Sequence, residues 1–462
     1  MSHKLAEVSS KSHAETGGNV IPTGYQQTDV GIIPVDWRCE EIAEFRPFVT
    51  SGSRGWAAYY SKYGSPFVRI TNMMRTSIYL DLSDTKYVSL PENASEGSRT
   101  SLENGDVLVS ITADIGISSY VDERLDKPAF INQHIALVRF NSLDIDSKFV
   151  AYYLSSEPVQ NLFRSGSDQG AKAGMNLAGV RRIKIVVPSK KEQTAIANAL
   201  SDVDALISEL EKLIAKKQAI KTATMQQLLT GKKRLPQFAK NEDGTLKGYK
   251  ESELGDIPED WEVSTADRVC DVLTGFPFPS NNYSASGVRL LRGANVKRNC
   301  TDWSDEITEF WPELEAGIKS YELHEGDIVI SMDGSLVGRS FAQLTRKDLP
   351  ALLLQRVARL RGHSISQNYL KEWVCSKFFT EYCDSVKTVT AIPHISPKDI
   401  KEYKLAVPTS EVEQEEIAVV LSEMAAEIDV LQQRLIKTRH IKQGMMQELL
   451  TGKTRLVKPE SK

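Results

Sequence analysis

This 462-residue chain lacks long apolar runs, a paired set of cysteines and clustered histidines. Without eighteen consecutive apolar residues, the sequence predicts no membrane-spanning helix. The polar stretch 1–23 has no signal-peptide core and is predicted to be a disordered leader. The five cysteines are odd in number and show no CxxC spacing. This pattern favours reduced thiols, and therefore a cytoplasmic protein.

Catalytic and cofactor motifs are also missing. No GxGxxG follows a strand, and neither H-E-x-x-H nor Gly-x-Ser-x-Gly occurs. The Asp/Asn-Pro-Pro-aromatic tetrad expected of a base methyltransferase is absent too. Gly452-Lys453-Thr454 resembles the end of a P-loop, but Gln447 stands where that motif needs glycine, and the triplet ends a predicted helix. We therefore expect no catalytic residue, no metal ligand and no cofactor held by this chain.

The chain has no excess of positive charge. Its net charge is −4, with 26% charged and 41% hydrophobic residues, which is ordinary for a globular protein. The balance neither indicates nor excludes nucleic-acid binding, since binding depends on local patches. The length predicts two or three domains, each with an ample core.

The most informative feature of the sequence is a long internal repeat. Residues 190–235 predict one long helix with apolar residues at heptad spacing, and its stretch from Gln193 to Thr230 would span roughly 55 Å. Residues 411–456 repeat it, so that Glu192-Gln193 corresponds to Glu413-Gln414. These helices could pair with each other or with another molecule. An internal antiparallel pair is favoured because two equal units then close without a partner. The predicted seam residues are Ile196, Leu200, Val203, Ile207, Leu210, Ile214, Leu228, Ile417, Leu421, Met424, Ile428, Leu431, Leu435 and Leu449.

The repeat extends through two globular domains, each opening on a Gly-Tyr…Pro…Trp segment whose tryptophan, Trp37 or Trp261, is predicted to anchor it to a core. In each, a variable loop, a Gly-Asp turn, clustered strands, one short amphipathic helix (147–163 or 366–383) and a strand ending in Val-Pro follow in that order. Without a regular βα alternation, this order predicts an α+β or mixed α/β fold with a pseudo-twofold repeat. The predicted boundaries are leader 1–23, first domain 24–189, central helix 190–235, linker 236–247, second domain 248–410, C-terminal helix 411–456 and tail 457–462.

Two tethered globular domains suit a two-part ligand such as double-stranded DNA, whose major groove recurs about every 34 Å. Arginine and asparagine read base edges, whereas lysine and hydroxyl groups contact phosphates. Side chains of these types stand in corresponding loops of the two domains, although each alone could be an ordinary solvated residue. The candidates for DNA contact are Arg54, Trp56, Tyr59, Lys62, Arg69, Lys172, Asn176, Asn281, Asn282, Tyr283, Arg292, Lys387, His394 and Lys398.

Repeated motifs give the sequence a resemblance to a known family. E-Q-x-x-I-A…L-S stands at Glu192–Ser201 and Glu413–Ser422, and L-L-T-G-K at Leu228–Lys232 and Leu449–Lys453. Together with the Gly-Tyr…Pro…Trp segments at 24–37 and 248–261, these motifs resemble the specificity subunits of Type I restriction–modification systems. The resemblance covers nearly the whole chain.

The resemblance implies a non-catalytic subunit with two target-recognition domains, each reading half of a bipartite DNA site. The paired helices would set the spacing and dock two modification subunits, which use S-adenosylmethionine to methylate adenine. Two restriction subunits would join for ATP-dependent cleavage, so S-adenosylmethionine, ATP and Mg²⁺ would belong to partners. Two alternatives remain: a non-catalytic coiled-coil scaffold that binds no DNA, and a stand-alone DNA-modifying enzyme, which the missing motifs disfavour.

Overall fold

The computed structural model describes residues 21–91, 95–167 and 174–458. Most of the predicted leader and tail, and the candidate Lys172, lie outside these ranges. The chain forms two compact units. Unit 1 comprises Met1–Leu210 and Arg434–Lys462, and unit 2 comprises Glu211–Gln433. The two long helices therefore contribute to both units.

Unit 1 contains twelve strands within the described residues. They are β1 Tyr25–Thr28, β2 Gly31–Pro34, β3 Arg38–Glu41, β4 Phe48–Ser51, β5 Tyr60–Ser61, β6 Ser65–Val68, β7 Lys86–Val88, β8 Val107–Ser110, β9 Ser118–Tyr120, β10 Phe130–Ile131, β11 Ile135–Arg139 and β12 Lys184–Val187. Its helices are α1 Ser95–Thr100, α2 Ser147–Ser155, α3 Glu157–Ser167 and α4 Leu177–Arg181, followed by the long helix α5 Lys190–Leu229.

Unit 2 repeats most of this order, with eleven strands in its described residues and a short helix before its fourth strand. Its strands are β13 Tyr249–Lys250, β14 Ile257–Pro258, β15 Trp261–Thr265, β16 Cys270–Thr274, β17 Val288–Leu291, β18 Glu309–Trp311, β19 Ile328–Ser331, β20 Phe341–Gln343, β21 Ala351–Leu353, β22 Val357–Gly362 and β23 Lys404–Pro408. Its helices are α6 Ala266–Val269, α7 Gln367–Cys375, α8 Lys377–Val386 and α9 Pro397–Lys401, followed by the long helix α10 Glu411–Leu449.

The same sheets are built in each unit. The central antiparallel sheet has the order β4-β11-β8-β9 in unit 1 and β16-β22-β19-β20 in unit 2. A second sheet joins a parallel pair of strands to an antiparallel strand. Its order is β10-β6-β7-β5 in unit 1, where β5 adds a fourth strand, and β18-β17-β21 in unit 2. The central strands β8 and β19 are buried along their whole length, which explains their continuous apolar sequences. The predicted α+β repeat is confirmed.

The Gly-Asp turn before each central strand is fixed by a buried carboxylate. Asp106 accepts two hydrogen bonds from Arg139, at 2.7 and 2.8 Å, and Asp327 accepts two from Arg361 at the same distances. Both aspartates are almost completely buried. A bidentate arginine satisfies such a carboxylate with good geometry, so the charge is tolerated inside.

The single amphipathic helix predicted in each domain is a pair of helices. A serine separates α2 from α3 and α7 from α8, and its backbone is extended. The hydroxyls of Ser156 and Ser376 each donate 2.7 Å hydrogen bonds back to a carbonyl three residues earlier. This local bonding competes with the helical pattern, which is why the prediction of one helix was wrong.

The two long helices pair with each other in antiparallel fashion within each unit. In unit 1, Lys442 of α10 lies 2.6 Å from Asp204 of α5. In unit 2, Lys217 of α5 lies 2.7 Å from Glu427 of α10. All fourteen predicted seam residues are buried or half-buried. In each unit an ion pair thus joins the two long helices beside the seam, and the prediction of an internal helix pair is confirmed.

In each unit, the Gly-Tyr…Pro…Trp segment contacts the start of one long helix and the residues just after the end of the other. In unit 1, the Trp37 indole donates to Glu192 at 3.2 Å, and the Tyr25 hydroxyl donates to the Gly452 carbonyl at 3.0 Å. In unit 2, the Trp261 indole donates to Glu413 at 3.3 Å, and the Tyr249 hydroxyl to the Gly231 carbonyl at 3.2 Å. Both indoles are buried, as predicted for core anchors.

An arginine completes each of these junctions. Arg455 donates to both Glu192 and Asp36, and Arg234 donates to both Glu413 and Asp260. The hydrogen bonds from Glu192 and Asp36 raise the pKa of Arg455. The junction therefore joins the end of one long helix to the start of the other. Among the described residues, no helix is long and apolar enough to cross a membrane.

Candidate nucleic-acid interface

Two of the predicted contact residues, Arg69 and Arg292, begin equivalent 3-10 turns. The backbone N–H of Arg69 donates to Asn72, and that of Arg292 to Asn295, both at 3.0 Å. The Arg69 guanidinium then bonds Asp84, whereas that of Arg292 bonds the Ile307 carbonyl. Both side chains are mostly buried, at 19% and 28% exposed, and hold neighbouring segments of the unit in place.

The first variable loop divides into surface and core residues. Arg54 and Lys62 are exposed. Trp56 is only 4% exposed and stacks on Phe67 at 4.9 Å between ring centroids. Tyr59 packs edge-on against it. The choice of Trp56 as a candidate for DNA contact is corrected, because its large apolar ring is buried in the core of this sheet.

The corresponding loop of unit 2 presents two amides. Asn281 and Asn282 are exposed on the 3-10 turn Ser280–Asn282. Tyr283 follows, half-buried, with its hydroxyl donating to the Phe278 carbonyl at 3.5 Å. Asn281 and Asn282 thus remain available for contact with a ligand.

The loops before the last strands have mixed roles. Asn176 caps α4 by accepting from the Gly179 amide. Lys387 lies 2.6 Å from Asp384, whose pKa is held well below its ordinary range by hydrogen bonds from Arg339 and Lys387. Lys398 pairs with Glu402 at 3.6 Å. Contacts of these residues with DNA remain predictions.

His394 lies beside two residues, Asp333 and Arg356, that the sequence analysis did not identify as candidates. Its backbone forms a β-bridge with Asp333, in the loop after β19. Asp333 in turn lies 2.9 Å from Arg356, in the turn before β22. We call these three residues loop cluster 2. They gather charged and titratable side chains from three loops on the surface of unit 2.

Unit 1 has an equivalent gathering, loop cluster 1, formed by Thr112, Gln133 and His134. The Thr112 hydroxyl is hydrogen-bonded to Nδ1 of His134, and the Gln133 amide lies 2.9 Å from Nε2 of that ring. Thr112 and Asp333 both follow the Gly-Asp turn and its strand, 221 positions apart in the sequence. Carrying the repeat through position by position would have shown that Thr112 corresponds to Asp333 and His134 to Arg356, although not that the loops meet in space.

The same backbone hydrogen bonds support the two clusters. The Ile111 amide donates to the His134 carbonyl at 2.9 Å, and the Ile111 carbonyl accepts from Met175 at 2.8 Å. In unit 2, the Met332 amide donates to the Arg356 carbonyl, and the Met332 carbonyl accepts from Ile395, both at 2.9 Å. The frame is shared, whereas the side chains on it differ.

A row of apolar residues lies on the surface of α5, apart from the seam. Leu206, Leu213 and Ile220 follow one another at heptad spacing and are 41%, 38% and 44% exposed. Residues seven apart lie on nearly the same face of a helix. We call this row the apolar strip of α5; exposed apolar residues on one helix face are a feature that can receive a partner helix.

The family to which the chain belongs follows from a family model. The Type I restriction modification DNA specificity domain matches residues 34–222 and again 258–438. Together these ranges cover well over half of the chain and fall once on each half of the internal repeat. The chain therefore belongs to this family.

Curated relatives of this chain are named as specificity subunits of Type I restriction enzymes. The MjaVIII specificity subunit of Methanocaldococcus jannaschii is 31% identical over 59% of this chain and 63% of that protein. The EcoAI specificity subunit of Escherichia coli is 32% identical over 42% of this chain and 33% of that protein. The match to the putative MjaX specificity subunit of M. jannaschii is weaker, at 25%, but covers 94% of this chain and 97% of that one.

Solved structures show the same fold. The Type I restriction-modification S subunit from M. genitalium superposes with a TM-score of 0.55 at 14% identity, covering 89% of this chain and 96% of that one. A chain from a structure of type I R-M complex assembly gives a TM-score of 0.51 at 17% identity, covering 91% and 99%. At these identities the likeness shows a shared fold and nothing more.

Proposed function

We propose that this chain is the DNA-reading subunit of a Type I restriction–modification complex, in which units 1 and 2 each read one half of a bipartite double-stranded site. The repetition of one frame with different loops carries this proposal. The central sheets, junction arginines and helix pairs match between the units, while the variable loops do not. A shared frame with divergent loops suits two readers of different short sequences.

The partner subunits would catalyse the reactions, and this chain would recognise the DNA site. Two modification subunits would bring S-adenosylmethionine and methylate adenine in the cytoplasm. Two restriction subunits would bring ATP and Mg²⁺ for cleavage. This chain would hold none of these groups and catalyse no step. Its loops would contact bases and phosphates, and its long helices would set the spacing of the half-sites.

We place the docking of a modification subunit on the apolar strip of α5. Leu206, Leu213 and Ile220 would receive an apolar helix face of that subunit. Changing all three to serine should reduce capture of modification subunits by at least about tenfold, because burial of each leucine side chain stabilises an interface by about 1.5–3 kcal/mol. Leu143→Ser is the control, since Leu143 is 90% exposed away from the strip. Equal capture by both variants would contradict this placement.

A domain exchange tests the bipartite proposal. Residues 265–407 are replaced by the corresponding segment of another specificity subunit, and the bound sites are selected from randomised DNA with modification subunits present. We expect one half-site to change and the other to stay. A change in both halves would show that the units are not independent readers. Failure of the unaltered complex to select any DNA would instead favour a scaffold that binds no DNA.

A further inference from the structure

The two loop clusters share a backbone frame but carry different chemistry. Thr112 corresponds to Asp333, and His134 corresponds to Arg356, each pair occupying the same place after or before a central strand. The flanking amide and carbonyl bonds are the same in both units. The frame therefore forms with either set of side chains, so the Asp333–Arg356 pair is not needed to build it.

Arg356 has a backbone conformation that costs free energy. Its φ angle is +67°, in the left-handed region that side chains with a Cβ rarely adopt. Its side chain is 68% exposed, so burial in the core does not compensate for this strain. Residues held in such conformations concentrate at ligand-contacting sites, where the surrounding structure enforces them.

Asp333 orients the guanidinium without consuming it. One nitrogen, Nη1, donates to Oδ2 of Asp333 at 2.9 Å, whereas Asp333 itself is only 24% exposed. A guanidinium has five N–H donors in a fixed fork. The remaining donors can form the bidentate contact with O6 and N7 of guanine that is the commonest specific arginine contact in the major groove.

Resting on the proposed function, we propose that the loop clusters determine the sequence of the two half-sites, and that Arg356 reads a guanine in the half-site of unit 2. Asp333 is its positioning residue, and His394 flanks the contact. In unit 1, Thr112, Gln133 and His134 stand at the equivalent place and read a different base. The two half-sites thus differ in sequence because a few corresponding side chains differ between the two loop clusters.

The test selects bound sites from a pool of double-stranded DNA with randomised half-sites, using the full chain with its modification subunits. We expect Arg356→Ala to lose a guanine preference of about 10- to 100-fold at one position of one half-site. The other half-site should not change. Arg356→Lys, which keeps the charge and loses the fork, should lose the same preference.

Arg346→Ala is the matched control. Arg346 is an 88% exposed arginine of the same unit, also paired with a carboxylate, Glu325, and should leave every preference unchanged. Unaltered preferences in Arg356→Ala would overturn the proposal. A uniform loss of affinity for all sequences would overturn it too, since that is the signature of a phosphate contact. If the wild-type complex selects no bipartite site, the proposed function itself fails.

Discussion

Arg234 and Glu413 form a buried bidentate ion pair across 179 positions of the chain. Nε of Arg234 donates to Oε1 of Glu413 at 2.9 Å, and their side chains are 4% and 2% exposed. The pair joins the segment after α5 to the first turn of α10, beside Trp261. Its counterpart in unit 1 joins Arg455 to Glu192. The arginine that follows each L-L-T-G-K motif thus stabilises the junction between the end of one long helix and the start of the other.

Replacing Arg234 by alanine should strongly destabilise unit 2. The substitution leaves the Glu413 carboxylate buried without its cation, which typically costs about 3–5 kcal/mol. Urea unfolding of the full chain, followed by tryptophan fluorescence, measures the effect. Arg346→Ala, which removes a solvent-exposed pair, should destabilise the chain far less. Equal effects of the two variants would show that the buried Arg234–Glu413 pair does not stabilise unit 2.

Two glycines, Gly444 inside α10 and Gly452 just after its end, provide a second matched pair. Gly452 has a φ angle of +72°, and a Cβ there would lie 2.4 Å from Cγ of Pro34. Gly452→Ala should therefore destabilise unit 1 by about 2 kcal/mol or more. Gly444 lies inside the helix, with open space around a Cβ. Gly444→Ala should stabilise the chain by up to about 1 kcal/mol. Opposite signs in thermal unfolding are expected, and equal signs would contradict the packing described.

Acid should weaken the junction of unit 1. A hydrogen bond from Arg455 lowers the pKa of Asp36 below its ordinary value of about 3.9. Because the folded-state pKa is the lower one, the stabilisation is present above about pH 4 and is lost as the pH falls through the folded-state value. Asp36→Asn should flatten the decrease in Tm between pH 5 and pH 2. An unchanged pH profile in Asp36→Asn would refute the assignment.

The sequence predicted the features that repeat. Heptad spacing and the repeated Glu-Gln and Leu-Thr-Gly-Lys motifs were enough to predict α5, α10 and their pairing. The two anchoring tryptophans were predicted as well, since each ends a segment that occurs twice. Such local and repeated patterns carry their structure with them.

Residue type alone could not locate the surface. Trp56 stands in a polar loop sequence but packs on Phe67, and Arg69 is held by Asp84. The parallel pairing of β10 with β6 joins strands more than sixty positions apart, which no local pattern specifies. Loop cluster 2 likewise depends on three loops meeting in space. Non-local contacts of this kind decide which polar residues are free to contact a ligand.

A change in helix length should alter the DNA site in a defined way. Four residues inserted into α5 add about 6 Å, or nearly two base pairs. We expect both half-sites to be kept and the gap between them to lengthen by one or two base pairs. A four-residue insertion at Gly244, in the exposed turn of the linker, should leave the gap unchanged. Retention of the original gap by the α5 insertion would refute a rigid spacer.

A genome-wide map of methylated adenine, compared with and without this gene, tests the central claim most directly. The account predicts that one motif of two short blocks with a fixed gap loses its methylation when the gene is deleted, and regains it when the gene is restored. Loss of an uninterrupted motif, or no change at any motif in cells whose modification subunits are active, would contradict the claim that this chain reads a bipartite site.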